Sequence, residues 1–120
     1  MDFDKEILKG YIDTMILSVL SERDMYGYEI AKRIKEKSKE EFEIKEATLY
    51  VSLKRLEKKN YLEGYWNDNE GTGGGRRRYY RITEEGKRFF GDRASEWVLL
   101  RELLNNFMEE KVLNGLFRGL

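Results

Sequence analysis

Apolar residues recur at three- and four-residue steps from the start of the chain. Ile7, Leu8, Tyr11, Ile12, Met15, Ile16, Val19 and Leu20 predict one helix over about Lys5 to Leu20. The stripe is wide, which predicts burial on more than one side. Ser21 to Asp24 breaks the pattern, and Asp24 is placed to cap the next helix. That helix runs from about Tyr26 to Lys37. Ile30 and Ile34 form its inner face, with Tyr26 or Gly27 one turn earlier, and Lys32, Lys35 and Lys37 are polar. Phe42-Glu43-Ile44 alternates apolar and polar, which predicts a short strand. A third helix spans about Glu46 to Lys59. At about 100° per residue, Leu49, Leu53 and Leu56 share one face, while Ala47, Val51, Lys54, Arg55 and Lys58 share the opposite one. Asn60 is a suitable terminator.

The period then changes. Tyr61 to Asn67 is rich in strand-forming aromatics, residues 68–75 (DNEGTGGG) read as a turn, and Arg76 to Ile82 returns as a second strand. This is a β-hairpin. Thr83 followed by Glu84 and Glu85 opens a last helix, with Thr83 as its N-cap, reaching about Lys111. Phe89, Phe90, Ala94, Trp97, Val98, Leu100, Leu103, Leu104, Phe107 and Met108 give it a long apolar stripe. The predicted class is mainly α with a small β-hairpin: a winged helix-turn-helix over residues 1–83, and a long C-terminal dimerisation helix over residues 84–120.

Composition narrows the function classes. The 120 residues are 40% hydrophobic and 38% charged, with no cysteine and no histidine. Disulfides and thiolate metal sites are therefore excluded, and most nucleophile–base pairs have no base. No catalytic role, cofactor or metal is expected. Met1-Asp2-Phe3-Asp4 begins acidic without a hydrophobic run, so no signal peptide is expected, and no apolar stretch reaches the ~20 residues of a membrane span. A cytoplasmic location is expected.

Net charge is zero, but its distribution is uneven. Residues 1–45 hold nine Lys/Arg and eleven Asp/Glu, residues 46–83 hold eight and five, and residues 84–120 hold six and seven. The positive excess sits on the third helix and the hairpin. Lys54, Arg55 and Lys58 suit DNA phosphates, and Arg76, Arg77 and Arg78 beside a glycine turn do so as well. Ala47, Thr48, Tyr50 and Val51, nearer the start of the third helix, suit base edges. One of Tyr79 and Tyr80 must face inward.

These residues also carry a family likeness. The chain resembles PadR-type bacterial transcriptional regulators in Tyr26-Gly27-Tyr28-Glu29-Ile30, Glu46-Ala47-Thr48-Leu49-Tyr50 and Leu53-Lys54-Arg55-Leu56-Glu57. The likeness continues in the run from Gly75 to Gly86, GRRRYYRITEEG. The resemblance covers roughly residues 5–90. It implies a repressor that binds double-stranded operator DNA and forms a homodimer through its last helix. The single short C-terminal helix resembles the subgroup that includes multidrug-sensing repressors. That subgroup implies that Trp97, eleven residues after Gly86, stacks on a planar aromatic ligand at the dimer interface. Ala94 and Arg101 would lie beside it, with Gly10, Asp13, Thr14 and Ser18 on a second wall. Phe90, Ala94, Trp97, Leu104 and Met108 are the expected dimer contacts. Where drug-binding members tend to carry an acid one turn after the tryptophan, this chain has Arg101, which leaves room for a neutral or anionic ligand. Two alternatives stay open: a winged-helix module that binds protein, and a repressor with no small-molecule effector.

Overall fold

A computed structural model describes residues 5–68, 75–113 and 115, and among them the side chains of 6–68, 75–109 and 115. The order is α1 (Lys5–Lys9), α2 (Ile12–Leu20), β1 (Met25–Tyr26), α3 (Gly27–Lys37), α4 (Glu46–Lys58), β2 (Leu62–Asp68), β3 (Arg76–Ile82) and α5 (Glu84–Leu113). The chain divides into two compact units, residues 1–90 and 91–120. The architecture is the expected one, mainly helical with a small antiparallel sheet. Residues 69–74, the glycine-rich hairpin tip, lie outside the described part.

Three local expectations are corrected. The first helix is two: Gly10 interrupts it, and Tyr11 takes φ −113° and ψ 0° before α2 begins. Glycine costs a helix interior about 1 kcal/mol, so the break falls there. Asp24 does not cap α3. Glu29 in its first turn accepts from the Tyr26 N–H at 3.3 Å, while Asp24 accepts from the Tyr65 hydroxyl at 2.6 Å. Phe42 to Ile44 is not a strand. Its alternation is real, with Ile44 buried and Phe42 against the core. Its backbone is held instead by the Ser38 hydroxyl, which accepts from the Phe42 N–H at 3.0 Å. The third strand is Met25–Tyr26, and the sheet order is β1-β3-β2.

The register puts Met25 opposite Tyr80, Tyr26 opposite Tyr79, Leu62 opposite Ile82, and Trp66 opposite Arg78. Alternation then sorts the residues. Leu62, Tyr80 and Ile82 enter the core, while Tyr26, Tyr79 and Tyr65 form a ladder across the outer face, with ring centroids 5.5 and 5.9 Å apart. Tyr80 is thus the inward tyrosine of its pair. The core of the first unit unites Ile16, Leu17 and Leu20 of α2, Ile30 and Ile34 of α3, and Leu49, Leu53 and Leu56 of α4. Outside it, Glu22 accepts from Arg33 and Lys37 at 2.8 and 2.9 Å. Those two hydrogen bonds hold its carboxyl down at about 2.

The start of α5 is stitched to the end of α4. Asn60 stops α4 with φ 65°. Thr83 Oγ1 donates to the Asn60 carbonyl at 2.6 Å and accepts from the Gly86 N–H at 2.9 Å, as an N-cap should. Phe89 stacks on Tyr61 at 4.4 Å and Phe90 packs against the core, so the first turns of α5 belong to the first unit. Gly86 permits this approach. A Cβ there would overlap the Tyr61 carbonyl oxygen and come within 2.8 Å of Ile82 Cγ1. Gly86→Ala is expected to cost about 2–3 kcal/mol, because the obstruction is backbone. A thermal melt checks it: a Tm within error of wild type would mean that the helix start shifts freely.

Candidate nucleic-acid interface

The leucine face of α4 is buried, so its opposite face must be outward. Ala47, Tyr50, Val51, Lys54, Arg55 and Lys58 are exposed and Thr48 is half-buried. Val51 is 62% exposed beside Lys54 and Lys58, neither of which has an acidic partner among the described residues. An apolar methyl pair held in water on a face shared with two lysines gains nothing from the fold.

Two of the expected site residues have other partners. Tyr50 leans on the first residue of α3. A Cβ at Gly27 would run into the Tyr50 hydroxyl and stand 2.9 Å from its Cζ. The ring thereby measures the gap between α3 and α4, while half of its surface stays open. Arg55 reaches back to α2. Its Nη2 donates to Asp13 Oδ1 at 2.6 Å and its Nε to Oδ2 at 3.2 Å, and Nη2 also donates to the buried Ser52 hydroxyl at 3.2 Å. This fork is bidentate, and the Asp13 hydrogen bonds raise the Arg55 guanidinium above its ordinary pKa. Arg55 therefore fastens α4 to α2.

The wing arginines are sorted by strand alternation. Arg77 lies on the outer face, its Cζ 4.6 Å from the Tyr26 ring centre, with no acidic partner among the described residues. Arg81 lies on the same face over Tyr65, at 5.3 Å. Tyr65 donates to Asp24, and this bond to a carboxylate pushes its hydroxyl up to about 12. Arg76 and Arg78 lie on the other face over Trp66, at 4.9 and 5.3 Å. Arg76 is also 3.4 Å from Asp68, and Arg78 is 3.2 Å from Glu57. Ring faces and flanking acids offset the repulsion that three adjacent guanidinium groups would suffer. Trp66, Tyr26, Tyr65, Gly64 and Glu57 join the site without having been expected there from the sequence. Only the hairpin register, which pairs Trp66 with Arg78, points to the first of them.

The remaining expected residues are distributed over both units. In the first, Thr14 and Ser18 are half-buried on α2, Gly10 is exposed, and Asp13 is held by Arg55. In the second, Ala94, Trp97, Arg101, Leu104 and Met108 are exposed on α5, and Arg101 covers one face of the Trp97 ring at 5.0 Å. Phe90 is half-buried against the core of the first unit. Among the described residues no acidic cluster could hold a metal ion, and no helix is long and apolar enough to cross a membrane.

Comparison with known proteins adds independent findings. Residues 16–92 match the model of the transcriptional regulator PadR-like family. A protein of Lysinibacillus sphaericus is 43% identical over 104 residues, which cover 87% of this chain and 94% of that one. The chain is similar to the solved structure of a transcriptional regulator from Clostridium thermocellum, with 42% identity, TM-score 0.79, and coverage of 89% of this chain and 99% of that one. It is also similar to a PadR family transcription regulator from Clostridium difficile, with 44% identity, TM-score 0.73, and coverage of 82% and 98%.

Proposed function

The chain belongs to the PadR-like family of transcriptional regulators, and from that premise we propose that it is a homodimeric repressor that reads operator DNA with α4 and grips the backbone with its wing. The observation that carries this reading is the outward face of α4, where Ala47 and Val51 stand in water on the same face as Lys54 and Lys58. Such a helix enters a major groove with its first turns to the bases, where Thr48 hydrogen-bonds base edges and Val51 meets thymine methyls. Lys54, Lys58, Arg76 and Arg77 serve the phosphates: Lys54, Lys58 and Arg77 have no acidic partner among the described residues, and the acid beside Arg76, Asp68, lies on its own hairpin. Arg55 acts through α2 instead. The family's members are regulators rather than enzymes, and the absence of any histidine or cysteine agrees with that.

The test is binding to duplex DNA as salt is varied. Phosphate contacts release counterions, so Arg76→Ala/Arg77→Ala is expected to weaken specific and mixed-sequence duplexes alike. The salt slope should fall by about one unit for each phosphate left unneutralised. An unchanged slope removes the wing from the interface.

Homodimerism rests on α5. Trp97, Leu100, Leu104 and Phe107 recur at three- and four-residue steps, and all are more than 40% exposed. A stripe of that kind on one helix is the signature of a self-complementary contact. Light scattering at micromolar concentration should give twice the chain mass, and a monomer mass excludes the dimer.

The effector reading rests on Trp97. We propose that two copies of its ring, brought together across the two-fold axis of the dimer, stack on one planar aromatic molecule and shift the dimer away from its DNA-binding spacing. Arg101, lying over the same ring, favours neutral or anionic ligands over cationic ones. Calorimetry of wild type and Trp97→Ala against a panel of planar compounds checks this. Equal binding by both proteins, or none by either, leaves Trp97 as a dimer anchor only and the protein as a repressor without an effector.

A further inference from the structure

Arg78 is surrounded differently from the two arginines before it. Its Nη2 donates to Glu57 Oε2 at 3.2 Å, which ties β3 to α4. The Trp66 ring lies 5.3 Å away on one side. The guanidinium also crosses the backbone of β2 over Gly64, where a Cβ would stand 2.7 Å from Nη2 and 2.9 Å from Cζ. Gly64 is not among the residues with positive φ, so its backbone conformation is open to any residue. A glycine inside a strand that needs no unusual backbone marks the close approach of another group. Here that group is the Arg78 side chain. The contrast with Arg76 is one of placement: Arg76 is 62% exposed and its acid, Asp68, is on its own hairpin, whereas Arg78 is 36% exposed and its acid is on α4.

We propose that Arg78 is a positioning residue: seated by Gly64, Trp66 and Glu57, it braces the wing against α4 and sets the angle at which the two meet DNA, without itself contacting a phosphate. This rests on the DNA-binding reading above and deepens it. The brace fixes the spacing between the element that reads bases and the element that grips the backbone. Pairing with β1 and the Tyr65–Asp24 hydrogen bond hold the hairpin on its other side, and Arg78 adds the link to α4.

The brace and a phosphate contact make opposite demands on Glu57. If Arg78 served a phosphate, Glu57 would compete for it, and Glu57→Ala would tighten binding. If Arg78 is a brace, Glu57→Ala loosens the wing and weakens binding. The experiment measures affinity for a short mixed-sequence duplex over a salt series, with Glu57→Ala, Arg78→Ala, Gly64→Ala and Arg76→Ala. The expected result is a loss of about 3- to 10-fold for each of the first three, with the salt slope unchanged. Arg76→Ala should lower the slope by about one unit. In the Arg78→Ala background, Glu57→Ala and Gly64→Ala should each add less than about 2-fold, because they act through the side chain already removed. Gly64→Ala removes no charge, so a loss of affinity with an unchanged salt slope there comes from the lost seating of Arg78 and not from diminished counterion release. Tighter binding by Glu57→Ala, or a reduced slope in Arg78→Ala, overturns the proposal. A second measurement needs no DNA: residual dipolar couplings of hairpin amides relative to those of α4. They should shift together in Arg78→Ala and Gly64→Ala, and unchanged couplings overturn the brace whatever the binding data show. A wild-type protein that binds no duplex while these couplings shift would remove the regulator reading and leave the brace standing.

Discussion

The first unit depends on one strip of side chains, Leu49, Leu53 and Leu56 along α4, each all but removed from water. Burying a leucine is worth about 1.5–3 kcal/mol, so the three together contribute on the order of the whole net stability of a small domain. No disulfide shares that task, since the chain has no cysteine. The same burial decides what faces outward. Once the leucines point at Ile16, Leu17 and Ile30, a period of 3.6 residues leaves Ala47, Val51, Lys54 and Lys58 no course but the solvent. The outward face of α4 is therefore the complement of its packing face, because one period sets both.

Around that strip, the arginine and the lysines of α4 differ in their partners. Arg33 on Glu22, Arg55 on Asp13 and Arg78 on Glu57 each reach an acid outside their own helix or hairpin. Lys54 and Lys58, on the same helix as Arg55 and Glu57, have no acidic partner among the described residues. A planar fork can take both oxygens of a carboxylate and lie flat on a ring, so guanidinium suits fixed internal joints. An ammonium on a flexible stem suits a partner that arrives later. This explains how a chain of zero net charge keeps a cationic surface where α4 and the wing are outward.

Much of the fold was legible because it is written in short-range pattern. The leucine spacing of α4, the strand–turn–strand of the hairpin and the cap at Thr83 each fit within a dozen residues or so. What escaped depends on partners far along the chain. Met25–Tyr26 is too short to show a period, and it is a strand only because β3 offers it an edge about fifty-five residues later. Phe42–Ile44 shows the right alternation but has no edge to join. Gly10 splits a stripe whose apolar spacing runs straight through it. The candidate site was legible as a set of outward residues on α4 and the wing. It was not legible as a division of labour, because Asp13 lies 42 positions from Arg55 and Glu57 lies 21 positions from Arg78. Ion pairs at such separations leave no periodicity.

Three glycines hold close approaches in this fold, and they differ in what approaches. At Gly27 it is the end of the Tyr50 ring, at Gly64 the end of Arg78, and at Gly86 the carbonyl of Tyr61. The first two obstructions are side chains, which a second substitution can shorten. The third is peptide backbone, which no substitution can move aside. Positions 27 and 64 are thus free to drift in company with positions 50 and 78, and their histories should be paired. Position 86 has no partner to drift with. The junction between hairpin and last helix is the one place among these three where the fold dictates a residue outright, and the two faces of α4 can diversify around it while it stays fixed.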